Sequence, residues 1–472
     1  MLKLKYILIG SIAFASLFSS CQKQTFEKPY SYLEPEEAFL NAERIAKTAT
    51  GMYDALQNRD FLGGRALIYA DIRAIDCSAG PYFVNVPNYE NLTSNDLMVQ
   101  AGFVGGYRTI YEANYFLKNI EKYKGRATPE DEAKYIAEAK FIRALSYFYI
   151  VNLWAQPYKF TNEGSHPGVA LVLKAVDPNN IFDASNQVPR NTVKEVYDQI
   201  IKDLNEALPA LPKVPATATG RNISNVGRAT QGAVNGLLAR VYLYKQDYTK
   251  ALEYANKVVT SNEYTLVPAI KDIFTDYTTT ENMFSVAHSG GDNPNTNHSL
   301  SQHYSPGGRA DIQVSPIFQN LMSTNDARRK DLLTTTKDGI WNAKYNSVSN
   351  WVPILRFSEI LLTKAEALAN LETGTTANVE ALTLVNQVRH RSDPSTTVTA
   401  SNKAELIAAV LKERRIELAF EGQGIYEFLR TGRNIPAHGI FNEQVWGSNK
   451  VIFPFPYSET QQNPNLVQNP GY

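Results

Sequence analysis

The chain has 472 residues, in which 47 basic side chains are matched by 47 acidic ones. That balance excludes the basic footprint of a nucleic-acid-binding protein and the polybasic patch of a protein held to anionic lipid by charge. Aromatic residues make up 11% of the chain, including 27 tyrosines, although mean hydropathy is negative at −0.30; such rings serve helix packing or a wet recognition surface, and composition alone does not choose between the two.

The N-terminus carries Lys3 and Lys5, then an apolar run from Tyr6 to Phe18 that is too short to span a bilayer. It has the basic and hydrophobic regions of an export signal and is excluded from the fold. The stretch Leu17-Phe18-Ser19-Ser20-Cys21 resembles the lipobox of bacterial lipoproteins, with Ser20 a less usual residue before the cysteine. By that resemblance residues 1–20 are removed and Cys21 becomes a lipidated N-terminus, whose several acyl chains anchor the protein firmly; the competing reading is ordinary secretion with a chance cysteine. Cys77 is then the only thiol left, so packing and not a disulfide holds the core. It reads as a small buried thiol, because no histidine lies near it in the sequence.

A polar tether, residues 21–35, leads to Pro35-Glu36-Glu37 and a predicted helix over 36–57. The spacing of Tyr107, Ile110, Tyr111, Asn114 and Leu117 predicts another over 103–123. Thr128-Pro129-Glu130 opens a third, apolar over much of its circumference and buried on more than one face, which runs through Trp154. Residues 192–208 form one more helix, stopped by Pro209 and Pro212. In 229–264, small residues at 229, 232, 233, 236 and 239 permit close helix contact and Lys245-Gln246-Asp247 turns the chain, in the manner of a tetratricopeptide-type helix pair. Similar pairs are read at 36–57 with 103–123, at 131–154 with 192–208, and at 355–370 with 378–391. Four stacked pairs bury a core that one cannot. Residues 58–102 and 265–353 have no helical period, and loops of that size carry function.

Six blocks then identify a family: "YRTIYEANYFLKNI" (107–120), "EAKFIRALSYFYIVNLWAQP" (138–157), "GRATQGAVNGLLARVYLY" (227–244), "ILRFSEILLTKAEALA" (354–369), "ERRIELAFEGQGIYEFLRTGR" (413–433) and "NPNLVQNPGY" (463–472). In this order, behind a lipobox, they resemble the SusD/RagB-type outer-membrane nutrient-binding lipoproteins of Bacteroidetes. Departures at Ala155-Gln156 and Gly424 fall at positions that look structural. The resemblance implies a mainly α SusD-like fold of about four tetratricopeptide-like pairs with a long irregular ligand-binding portion. It implies a single domain over 36–472, with an N-terminal part to about 265 and a C-terminal part from about 266. It also implies a non-enzymatic, lipid-anchored protein of the outer membrane that faces the cell exterior, needs no cofactor, and partners a TonB-dependent, SusC-like transporter. Its ligand is an oligosaccharide or, as in a minority of the family, a peptide; a surface hydrolase and a helical-repeat adaptor are the other readings weighed.

A hydrolase needs two opposed carboxylates. Glu413, Glu417 and Glu421 recur every fourth residue, but Arg414 and Arg415 beside them point to a buried ion-pair network joining helix to loop. His298 and His303 lack zinc spacing, and the acidic content of "GGDNPNTN" is Asp292 alone, too little for calcium. No metal is expected. No nucleophile elbow, Walker loop or dinucleotide fingerprint occurs.

Sugar binding calls for flat rings beside hydrogen-bonding side chains. Three loop segments offer both. Residues 80–92 carry Tyr82, Phe83, Tyr89, Asn85 and Asn88; 297–304 carry His303 and Tyr304; 338–351 carry Trp341, Tyr345 and Trp351. Trp341, in a polar loop, is the first choice for an exposed stacking ring, its alternative a plug that closes the loop onto the helices. Trp154 reads as core and Trp446 as structural. For a peptide, Asp71, Arg73, Asp76 and Arg309 would supply charge, or else pair with one another.

Overall fold

The computed structural model describes residues 34–83, 85–176, 180 and 183–472; Cys21 and its tether lie outside the described residues. The long helices are α1 (Ala42–Leu56), α2 (Arg65–Ile72), α3 (Leu97–Lys122), α4 (Pro129–Trp154), α5 (Val193–Ala207), α6 (Gln231–Tyr244), α7 (Tyr248–Thr260), α8 (Phe357–Leu371), α9 (Val379–Ser392), α10 (Lys403–Glu417) and the short α11 (Gly424–Leu429). Four pairs stack in a row: α1 with α3, α4 with α5, α6 with α7, and α8 with α9. Most of these helices start on a polar cap, among them Asn41 for α1, Asp96 for α3 and the Thr192–Glu195 capping box for α5, which satisfies amide groups that the helix leaves unpaired.

The expected helix over 36–57 is two pieces, a single turn at Pro35–Ala38 and then α1. Asn41 takes the extended conformation of a cap and accepts from Arg44 N at 3.0 Å, while Phe39 turns inward against Phe116 and Tyr123. Burial of that ring breaks the helical run. Close contact at the small residues of α6 is real: a Cβ on Gly236 would stand 2.9 Å from Met283 and 3.3 Å from Ile360 of α8.

The two stretches without helical period hold α2, whose eight residues are all buried, and three small antiparallel pairings. Strand β1 (Cys77–Ala79) pairs with β3 (Ile312–Val314), β2 (Asn282–Val286) with β6 (Val352–Arg356), and β4 (Leu333–Thr336) with β5 (Gly339–Asn342) as a hairpin. One contiguous apolar core reaches from Ala38 to Leu466. The C-terminal segment is stapled on: Asn469 Nδ2 donates to the carbonyls of Trp154 and Phe453, both at 2.7 Å. Gly424 is close-packed, since a Cβ there would stand 2.9 Å from Ala74. Cys77 is buried and free.

A buried ion-pair network joins the C-terminal helices to the strands. Glu417 lies 3.0 Å from Arg328, 3.1 Å from Arg356 and beside Arg391. Glu413 takes Arg328 at 2.6 Å and Arg389 at 2.8 Å. Glu421 takes Arg356 at 2.7 Å and Lys344 at 2.6 Å. The partners come from distant segments, not from the neighbouring arginines: Arg414 turns to Glu427 at 3.0 Å and Arg415 to Asp76 at 2.8 Å.

Removing one partner of such a cluster leaves a buried uncompensated charge, at a cost of about 3–5 kcal/mol. Arg356→Ala is therefore expected to lower unfolding free energy by that amount in denaturant titration; a loss under ~1 kcal/mol would contradict the role given to the network. Burial alone would raise the Glu427 carboxyl, yet Arg414 and Arg430 outweigh it and hold its pKa at about 2 against an ordinary 4.5. Its stabilising contribution is complete above the ordinary value and is lost as pH falls toward about 2. The acid limb of the stability curve should be shallower in Glu427→Gln than in the parent protein, and parallel limbs would refute the assignment.

Candidate functional site

A groove of about 690 Å³ opens on the exposed side of α1. Gly51, Met52, Asp54 and Ala55 make its floor, the turn Gln57–Asp60 one end, Arg108, Glu112 and Tyr115 of α3 one wall, and His288 with Asp292–Asn295 the other. A second hollow of about 340 Å³ continues past Asp54, Gln57 and Asp292 toward Tyr53, Ile223 and Arg228. The two share those three residues and form one trough along the helix.

The wall over 288–298 has no regular structure, yet side chains order it. Asp292 N donates to Ser289 Oγ at 3.1 Å, Asn295 N to Asn293 Oδ1 at 3.0 Å and Asn297 N to Asn295 Oδ1 at 3.2 Å. These are the short side-chain-to-backbone turns that Asn, Asp and Ser favour. Gln57 Nε2 donates to Ala287 O, tying α1 to the start of the wall.

His288 is 6% exposed. Its Nδ1 stands 3.0 Å from Asn350 O, while Nε2 has no partner among the described residues. A carbonyl can only accept, so Nδ1 carries the proton and Nε2 is a bare acceptor. Burial pushes the imidazole pKa down, which keeps it neutral. Trp351, half-buried, donates from Nε1 to His288 O at 2.8 Å and stacks on Tyr277 with ring centres 5.3 Å apart; Asn350 Nδ2 donates to the Tyr277 hydroxyl at 2.8 Å.

At the other end Asp60 pairs with Arg65 at 2.8 Å, and Arg65 also donates to the Tyr82 hydroxyl. The half-buried Tyr82 ring lies 4.3 Å from the Arg309 guanidinium and 5.1 Å from the His303 ring. His303 is held between Asp311 at 2.8 Å and Asn297 O at 3.0 Å. Burial and then Arg65 bring the neighbouring His298 pKa down to about 4.

Of the sequence-predicted residues, Tyr82 and Trp351 are thus connected to the lining of the trough, Tyr82 through Arg65 and Asp60 and Trp351 through His288. The others take structural positions. Trp341, expected to be exposed, is 5% exposed: the β4–β5 hairpin turns it inward and Nε1 donates to Thr336 Oγ1 at 3.0 Å. Tyr345 is buried and donates to Phe420 O at 2.9 Å. Tyr304 is buried on Asp71 at 2.9 Å. Tyr89 is buried on Arg73 O. Arg73 itself lies between the Tyr89 and Phe453 rings, 4.5 and 4.8 Å away, and donates to Val86 O and Lys450 O at 2.7 Å. Asp76 pairs with Arg415, and Asn88 Oδ1 caps a turn by accepting from Glu90 N and Asn91 N at 3.2 Å. Phe83 is buried and Asn85 exposed. Trp154 is core, and Trp446, partly buried, donates to Leu429 O at 2.8 Å.

Sequence reasoning missed Asp54, Arg108, Glu112 and Tyr277. The first three sit at polar positions of amphipathic helices, where a ligand-facing residue and a solvated one look alike. A further cavity of about 340 Å³ lies between α2, α10 and α11. Its Asp71 accepts from Tyr304, Gly422 N and Gly424 N, and burial outweighs these bonds to bring the carboxyl pKa up to about 7. Among the described residues no group of three or more His, Cys, Asp and Glu side chains is arranged to hold a metal, and no helix is long and apolar enough to cross a membrane.

Stacked helix pairs bearing a loop-built polar trough define a binding module on a tetratricopeptide-like scaffold. The chain belongs to the SusD/RagB family: residues 27–243 match the family model described as starch-binding associating with outer membrane, and 320–472 match the SusD family model. The SusD-like protein P2 of Formosa agariphila is 26% identical, the alignment covering 94% of this chain and 96% of that one. A crystal structure of a SusD superfamily protein from Bacteroides fragilis superposes with a TM-score of 0.79 at 28% identity, over 91% of this chain and 99% of the other. Surface glycan-binding protein A of Bacteroides thetaiotaomicron, solved in complex with laminarihexaose, shares the fold with a TM-score of 0.72 at 20% identity, over 91% and 99% of the two chains.

Trp341→Ala should cost about 3–5 kcal/mol of stability by opening a cavity, with ligand affinity of the folded protein unchanged. Trp351→Ala should leave the thermal transition nearly in place and weaken ligand binding about tenfold, the worth of one aromatic contact. Calorimetric titration of both variants checks the pair, and the reverse pattern would return the stacking role to Trp341.

Proposed function

We propose that the protein is a cell-surface, non-catalytic binding subunit that captures an oligosaccharide and hands it to a TonB-dependent outer-membrane transporter. The observation that carries this reading is the trough along α1. It is open and polar, it extends through two hollows as an oligomer requires, and Tyr82 and Trp351 lie behind its lining, Tyr82 joined to Asp60 through Arg65 and Trp351 joined to His288. Aromatic faces stack on the apolar faces of sugar rings while carboxylates and amides take their hydroxyls. Membership of the SusD/RagB family supports the nutrient-binding role, and the laminarihexaose held by the Bacteroides thetaiotaomicron relative supports a glycan as the cargo. The carboxylates best placed to attract a hydrolytic reading, Glu413, Glu417 and Glu421, are spent on buried ion pairs.

Cys21 is the proposed lipid attachment point, which leaves the folded part tethered by residues 21–35. Cys21→Ser is expected to move the protein from the membrane fraction to the soluble fraction; retention in the membrane would overturn the anchor. For the function itself, the native lipidated protein is purified in mild detergent and everything that accompanies it is identified by mass spectrometry. A large β-barrel transporter together with an oligosaccharide is expected. Co-purified peptides in place of glycan would overturn the choice of cargo.

A further inference from the structure

The cavity of about 340 Å³ between α2, α10 and α11 shares no lining residue with the trough, and its volume is that of a small-ligand pocket. One wall is the row Ala404, Ile407, Ala408 and Leu411 of α10. Spacings of three and four put these side chains on one face of the helix, where they stay exposed or half-exposed, and Leu418 and Phe428 add to the apolar lining. An apolar concavity left open in this way marks a place where something binds.

The polar side chains of the lining divide into spent and unspent groups. Every carboxylate has a partner: Asp71 accepts from the Tyr304 hydroxyl at 2.9 Å and from Gly422 N at 3.0 Å, Asp76 pairs with Arg415 at 2.8 Å, and Glu427 with Arg414 at 3.0 Å. The side-chain groups that meet no partner among the described residues are all donors, namely Lys412 Nζ, Arg415 Nη1, Gln423 Nε2 and Arg433 Nη1. Gln423 is 5% exposed; its Oε1 accepts from Arg414 Nη2 at 3.4 Å, and the amide nitrogen on the other side is left for a ligand. The Arg433 guanidinium is held in place, 5.0 Å from the centre of the Phe428 ring, with Nε donating to Thr431 Oγ1 at 2.7 Å and Nη2 to Glu427 O at 2.9 Å. Both acceptors are neutral, so the charge of Arg433 is unanswered at close range. A buried amide donor asks for an acceptor, and a guanidinium fork matches a carboxylate.

We propose that this cavity binds a small monocarboxylate with an apolar body, its carboxylate at Arg433 and Lys412, its body over Ile407, Leu411 and Phe428, and Gln423 Nε2 donating to one of its oxygens. An unmodified sugar brings neither the charge nor the apolar body. The site is therefore a second one, separate from the trough.

The test is calorimetric titration of the whole soluble chain with octanoate and 3-phenylpropionate, their uncharged amides, and acetate. At least one of the two larger acids is expected to bind about tenfold or more tightly than its own amide and than acetate, and the tighter of the two identifies the body as aliphatic or aromatic. Arg433→Gln, checked for an unchanged thermal transition, is expected to erase the preference of acid over amide. Ala408→Trp fills the space from an exposed helix position and is expected to abolish binding of both acids. Equal binding of acid and amide, binding that survives Ala408→Trp, or no binding of either larger acid overturns the proposal.

Discussion

The Glu417 carboxylate is the point on which the C-terminal half of the molecule hangs. It is 1% exposed and is met by guanidinium groups from three separate segments, the short helix Ala327–Asp331 through Arg328, strand β6 through Arg356, and α9 through Arg391. A single ion moved into such a setting costs several kcal/mol, which only close, multiple pairing returns. The pairing is therefore geometrically demanding. Arg356 also donates from Nη2 to Glu417 O at 2.9 Å, which fixes one end of β6. The other end of β6 follows directly on Trp351, whose indole holds His288 and so one wall of the trough. Position is thus passed from a buried charge cluster, along one strand, to the ligand surface.

The two charged regions use opposite chemistry for opposite ends. In the spine every carboxylate is matched and the result is rigidity. In the trough Asp54 and Glu112 are opposed by the rim-exposed Arg108, which does not outweigh the burial that raises both carboxyls.

Much of the architecture was legible in the sequence because it follows from periodicity and capping. The pairs at 229–264 and 355–391 carry apolar positions at helical spacing, and the first adds small residues at close contacts and a tight turn, all local signals. The family blocks proved to be largely structural: "ERRIELAFEGQGIYEF" builds the ion-pair spine and "NPNLVQNPGY" staples the tail onto Trp154 and Phe453. The site was less legible. Whether a ring in a polar loop faces solvent depends on a pairing that no local pattern specifies, so Trp341 on the inner face of a hairpin and Trp351 at a strand's edge read alike. Nor did the sequence reveal α2 as a buried helix or place Asp54 opposite Asp292, because both depend on contacts between residues hundreds of positions apart. Spacing at 413, 417 and 421 correctly indicated a buried network, but its partners at 328, 356, 389 and 391 were beyond the reach of helical periodicity.

The most direct test of the account is hydrogen–deuterium exchange of the soluble chain with and without the oligosaccharide recovered with the native protein. Slowed exchange is expected in residues 51–60 and 288–298, the floor and wall of the trough, with residues 404–415 at the separate cavity between α2, α10 and α11 unchanged. Protection centred on 404–415, with none along α1, would contradict the assignment of the trough as the ligand site.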